Sequence, residues 1–150
     1  MKEKKLEKKE TEALLAVNRG EDTLFQRREN LQGHGSYAKE RMQYEAIRNG
    51  QVERIRSVIQ QEPDGMPGIL SKDQLRNSKN MFIAGITLDT RAAIEGGVPE
   101  ETAYSLSDGY IQTVEECADQ VAVKELTMQA ALRFAREVRK YGRPHYSRAI

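Results

Sequence analysis

The chain has 150 residues, with one Cys, two His, no Trp and only 6% aromatic residues. A lone cysteine, Cys117, excludes an internal disulfide framework and suits a reducing, cytoplasmic setting. Cys117, His34 and His145 are too few for the Cys/His clusters of a zinc or iron centre, so no metal and no cofactor are expected. No apolar run approaches the ~18 residues of a membrane span. The charged N-terminus has no apolar stretch behind it, unlike a signal peptide. A formal net charge of +1 provides no global field to draw in nucleic acid or a membrane surface. No G-x-S-x-G nucleophile turn and no glycine-rich phosphate loop occur. Catalytic residues are therefore expected to be none, and Cys117, on an apolar stripe, reads as a small core residue.

What the chain does have is charge, at 31% of residues, and helical periodicity. No segment joins β-branched enrichment to period-2 alternation, so no sheet is expected, and no 20–50-residue repeat is seen. Residues 1–35 read as a charged N-terminal helix and a connector. Lys and Glu alternate up to about Val17 with several i,i+4 pairs, and Asn18 to Gly35 carries two Gly-containing breaks around Leu24 and Phe25. Ser36 is a plausible N-cap for a helix with Ala38, Met42 and Ala46 on one stripe. Asn49-Gly50 stops it, and Val52, Ile55, Val58 and Ile59 mark a second short helix, completing a helical hairpin. The cluster Pro63, Asp64, Gly65, Pro67, Gly68 then breaks the chain.

The stretch about residues 71–95 organises the rest. It opens at Ser71, with Gln74 in capping-box position, and closes at Gly96-Gly97, followed by Pro99 at the start of another helix. Leu75, Phe82, Ile86 and Ala93 repeat near 3.6, while Met81, Ile83, Leu88, Ala92 and Ile94 fill most of the remaining circumference. A helix apolar nearly all round is a buried, central one. The expected fold is therefore all-α, a multi-helix bundle packed around this helix. Its polar residues Arg76, Asn77, Lys79, Asn80, Thr87, Asp89, Thr90 and Arg91 must find partners where they face other helices. After Pro99, Ala103, Leu106, Tyr110, Val114 and Cys117 form the next stripe, with an expected break near Ser105 or Ser107. Val123, Leu126, Ala130, Phe134, Val138 and Tyr141 mark a last long helix, beginning near Asp119 or Gln120 and ended by Gly142 and Pro144. The regular domain thus spans 36–142. Residues 143–150 read as a linker, and Ser147 to Ile150 as the opening of a further helix.

The order of motifs adds to this. HGSYAKERMQYEAIRNG is followed by Leu-Arg-Asn-x-Lys-Asn (Leu75 to Asn80) and Thr-x-x-x-Arg-Ala-Ala (Thr87 to Ala93). A Gly-Gly-Val-Pro turn and Tyr-Ser-Leu-Ser-Asp-x-Tyr-Ile (Tyr104 to Ile111) come next. Over residues 34 to 150 this resembles the N-terminal regulatory region of a group of AraC-type bacterial transcriptional regulators. The resemblance implies a helical sensor or oligomerisation domain, a homodimer, ahead of helix-turn-helix motifs that would start near Ser147 and are missing here. DNA would then be a partner only through that missing part. It also gives the polar set a task. Arg76, Lys79, Asn80 and Arg91 could hold a small anionic effector, Arg being the natural bidentate partner of a carboxylate or phosphate. Asp89, Tyr104, Ser107 and Asp108, with Asn77, could complete either a pocket or an internal network tying the central helix to its neighbours. The competing reading is a stand-alone helical protein-interaction module, since Ala46 to Ile59 echoes one ankyrin-like unit where arrays need about three.

Overall fold

The computed structural model describes residues 1–142. They form α1 (Lys2–Glu29), α2 (Tyr37–Arg48), α3 (Val52–Gln60), α4 (Gln74–Glu95), α5 (Glu100–Glu115) and α6 (Gln120–Gly142), and no strand occurs among them. The expected linker into a helix-turn-helix, 143–150, lies outside the described residues. α4 packs on α6, α5 and α2, while α3 rests on α6 and α2, so α4 and α6 form the spine of an all-α bundle. Phe82, Ile86, Ala92 and Ala93 from α4 meet Phe134, Ala131, Ala135 and Val138 from α6 in one core, joined by Ile47 and Ile55 from the hairpin.

Three expectations are corrected. The first concerns the start of the central helix. Asp73, not Ser71, is the N-cap of α4, its carboxylate accepting from the Arg76 amide at 2.7 Å. Asn77 Oδ1 accepts from the Leu70 and Ser71 amides, which keeps Ser71 in the preceding loop. The second concerns α5, which runs unbroken through Ser107-Asp108-Gly109. Ser107 lies on the buried face with Ala103 and Val114, and that packing outweighs the ~1 kcal/mol helix penalty of Gly109. The third concerns the N-terminus. A single helix continues to Glu29, past Gly20, and the connector begins only at Asn30.

The apolar circumference of α4 is also not fully covered. Met81 and Leu88, two turns apart, stand exposed on one strip of the helix. α4 is central because three helices pack on it, and it still presents one face to water.

One pole of the bundle gathers the C-terminal ends of α2, α4 and α6. A Cβ on Gly96 would lie 2.4 Å from the Arg48 carbonyl oxygen and under 3 Å from Val138. Only a residue without a side chain lets the end of α4 approach the other two so closely. Gly50, at φ +66, makes the α2–α3 turn against Arg139 and Ala135. Arg139 closes the same corner by an ion pair with Glu53 at 2.9 Å.

Candidate functional site

The residues singled out in the central motifs fall into three groups. The first joins the N-terminal half of α4 to the end of α5. Arg76 Nη2 and Nη1 donate to the two Glu115 carboxylate oxygens at 3.0 and 3.4 Å, a bidentate pair, and Arg76 Nε donates to Asn80 Oδ1 at 3.2 Å. Lys79, almost wholly buried, donates from Nζ to the Glu115 carbonyl oxygen at 2.8 Å. That carbonyl lies in the last turn of α5, where a cation is favoured by the helix dipole. The Arg76 hydrogen bonds and charge, with a smaller contribution from Lys79, hold the Glu115 carboxyl below its ordinary range. Asn77 belongs to this end too, its Nδ2 donating to the Gly68 carbonyl at 3.1 Å so that the 68–71 loop is pinned to α4.

The second group lies at the opposite end of the same antiparallel seam. The Arg91 guanidinium sits 5.0 Å from the centre of the Tyr104 ring. Both residues are exposed, and a cation–π contact of that kind contributes roughly 0.5–1 kcal/mol. Ser107 is buried in α5, whereas Asp108 faces solvent.

Asp89 stands apart on the α2 side of α4. It is 6% exposed, and Gln43 Nε2 on α2 donates to its carboxylate at 3.3 Å. Burial pushes its carboxyl up to about 7, offset only in part by the Gln43 hydrogen bond. The nine residues therefore do not converge on one cavity. Arg76, Asn77, Lys79 and Asn80 cluster, Arg91 and Tyr104 pair at the other end, and Asp89 belongs to a different interface.

Several partners were not legible in the sequence. Glu115 looks like one of two sequential surface acids, and nothing in the spacing links it to Arg76 across 39 residues. Gln43 gives no signal at all. Glu137, a buried carboxylate in α6, pairs with Arg133 at 2.9 Å one turn away. An i,i+4 acid–base pair marks it, but an apolar stripe on both sides hides its burial. Cys117 is half-buried against the core, with its thiol 3.7 Å from the Thr113 carbonyl oxygen. Among the described residues no three His, Cys, Asp or Glu side chains are grouped to hold a metal ion. No helix among them is long and apolar enough to cross a membrane.

No family model matches the chain, and no curated protein or solved structure matches it either.

Proposed function

We propose that this chain is the regulatory and oligomerisation part of an AraC-type bacterial transcriptional regulator, acting in the cytoplasm as a homodimer on a helix-turn-helix portion attached beyond Gly142. The reading rests on the motif order described above. The observation that carries it is that the three motif blocks make one mechanical unit. Leu75–Asn80 and Thr87–Ala93 lie along α4, Tyr104–Ile111 lies along α5, and Arg76–Glu115 and Arg91–Tyr104 fasten the two helices at either end. The C-terminal ends of α2, α4 and α6 meet at one pole, so a shift of α4 against α5 would be felt at the C-terminal end of α6. In this reading a small anionic effector enters by displacing Glu115 from Arg76, and no catalytic step is assigned to any residue.

The test is a fusion. Residues 1–150 joined to a monomeric helix-turn-helix domain should raise occupancy of a two-half-site operator well above that of the bare domain, and residues 1–150 alone should show no sequence-selective DNA binding. A fusion no better than the bare domain, or tight selective binding by residues 1–150 alone, contradicts the proposal.

A further inference from the structure

Among the described residues nothing covers α1. It is a helix of 28 residues in which nothing is buried, and it shares no packed face with α2 to α6. Among the described residues its one side-chain anchor is Arg27, whose guanidinium donates to the Met66 and Pro67 carbonyls at 3.0 and 2.8 Å. Leu6, Val17 and Leu24 remain 60%, 56% and 51% exposed, and Leu31, just past the helix end, 93%.

We propose that α1 is a self-association element, pairing antiparallel with α1 of a second copy. Leu6, Glu10, Ala13, Val17, Gly20, Leu24 and Arg27 alternate in steps of four and three along one stripe, the spacing of a two-helix seam. The charges on this stripe select both the occupant and the direction. A parallel pair sets Glu10 against Glu10 and Arg27 against Arg27 inside the seam. An antiparallel pair sets Glu10 against Arg27 twice. In the same register Ala13 faces Leu24 of the second copy and Val17 faces Gly20, so large residues meet small ones through the middle, while Leu6 reaches past the end of the partner helix, where Leu31 has already left the helical path at φ +53. Glu7 and Arg28, each one position beyond a seam residue, also face one another across the pair.

Arg27 uses two of its N–H groups on the 66–67 carbonyls, and a guanidinium has five, so donors remain for Glu10. An open cleft of about 440 Å³ runs beside Leu24, Arg28 and Leu31 at this end of α1, where Leu6 of the second copy enters. Leu14, Leu15 and Phe25, also exposed, lie off the seam. The inference bears on the homodimer of the regulatory reading, and the two fail separately: a dimer indifferent to Leu24→Glu would overturn the α1 pairing and leave that reading standing.

Sedimentation velocity on the whole chain over a wide concentration range tests it. A concentration-dependent dimer is expected. Leu24→Glu should weaken it by about a hundredfold, the scale of losing two buried Leu contacts. Glu7→Arg alone or Arg28→Glu alone should weaken it by about tenfold, since symmetry makes each reversal break two pairs. The double variant should recover the parent affinity, which a parallel pair cannot do because its Glu7 and Arg28 lie roughly 30 Å apart. The thermal midpoint of the bundle at dilution should not move in any variant, because α1 buries nothing there. A monomer at all concentrations, a dimer indifferent to Leu24→Glu, or single reversals that the double variant does not rescue would each overturn the proposal.

Discussion

Two short stretches of this chain are nearly the same in sequence and opposite in structure. Ala16-Val17-Asn18-Arg19-Gly20 lies within a helix that buries none of its residues, whereas Ala46-Ile47-Arg48-Asn49-Gly50 ends α2 and turns the chain into α3. Ala46 and Ile47 are fully buried, and Gly50 takes a positive φ wedged against Arg139 and Ala135. A Cβ added at Gly20 would meet nothing within 4 Å beyond the helix's own backbone. The glycine permits a turn in both places, and tertiary packing decides whether one is made. α1 is thus a helix held by local interactions, and the bundle is a set of helices held by one another.

That contrast is open to direct tests. The largest effect should come from equivalent truncations in the two regions. Phe134→Ala removes a fully buried ring from the core and should cost ~3–5 kcal/mol of unfolding free energy. Phe25→Ala, on exposed α1, should stay within ~0.5 kcal/mol. Urea titration of both variants at low protein concentration measures the difference.

Next comes pH. The bundle, unlike α1, takes a carboxylate out of water. Asp89 has its carboxyl raised to about 7 in the folded chain, well above its unfolded value, so the folded state holds a proton that the unfolded state has released. Its contribution is fully present below about pH 4 and is lost as pH rises towards 7. The loss is on the order of 4 kcal/mol if the full shift is realised. Asp89→Asn should flatten this limb of the stability-against-pH curve. A parent curve that rises steadily from pH 4.5 to 7.5, unchanged by the substitution, would show Asp89 ionised at no cost.

Glycine substitutions sharpen the comparison itself. Gly50→Ala forces a Cβ into a left-handed residue 3.1–3.3 Å from Arg139 and Ala135 and should destabilise by ~2 kcal/mol. Gly20→Ala should instead raise helix content slightly, by up to ~1 kcal/mol in helix propensity. Equal effects of the two, read by circular dichroism melts, would remove the distinction.

The smallest effect should be at the seam. Arg76→Ala breaks the surface pair with Glu115, whose side chain is 52% exposed, and should cost no more than ~1 kcal/mol. Lys79→Ala should cost more, because it strips a buried ammonium from the last turn of α5. A crossed order in chemical denaturation would place the seam's strength in the wrong cation.

The α2–α6 helices were legible because their apolar stripes face a core: Val123 to Tyr141 spells α6, and Val52 to Ile59 spells α3. α1 was legible only to about Val17. Beyond it, Gly20 and the LQGHG stretch read as breaks, since nothing in a local sequence says whether a glycine will be pulled into a turn. Ser71 was overtaken by Asp73 for a related reason. Two good caps stood two residues apart, and Asn77, six residues on, settled which was used. The seam residues could be named, but not their pairing. Arg76 with Glu115 and Asp89 with Gln43 are contacts between helices distant in sequence, which periodicity does not encode.

The claim on which the account rests is that α4 is the heart of a bundle from which α1 stands apart. Native-state hydrogen exchange at two protein concentrations tests it most directly. Amides from Phe82 to Ala93 should be the slowest and indifferent to concentration, while those from Leu6 to Leu24 should exchange quickly at dilution and slow as concentration rises. Protection of α1 equal to that of α4 at dilution, or an α4 that exchanges as fast as α1, would contradict it.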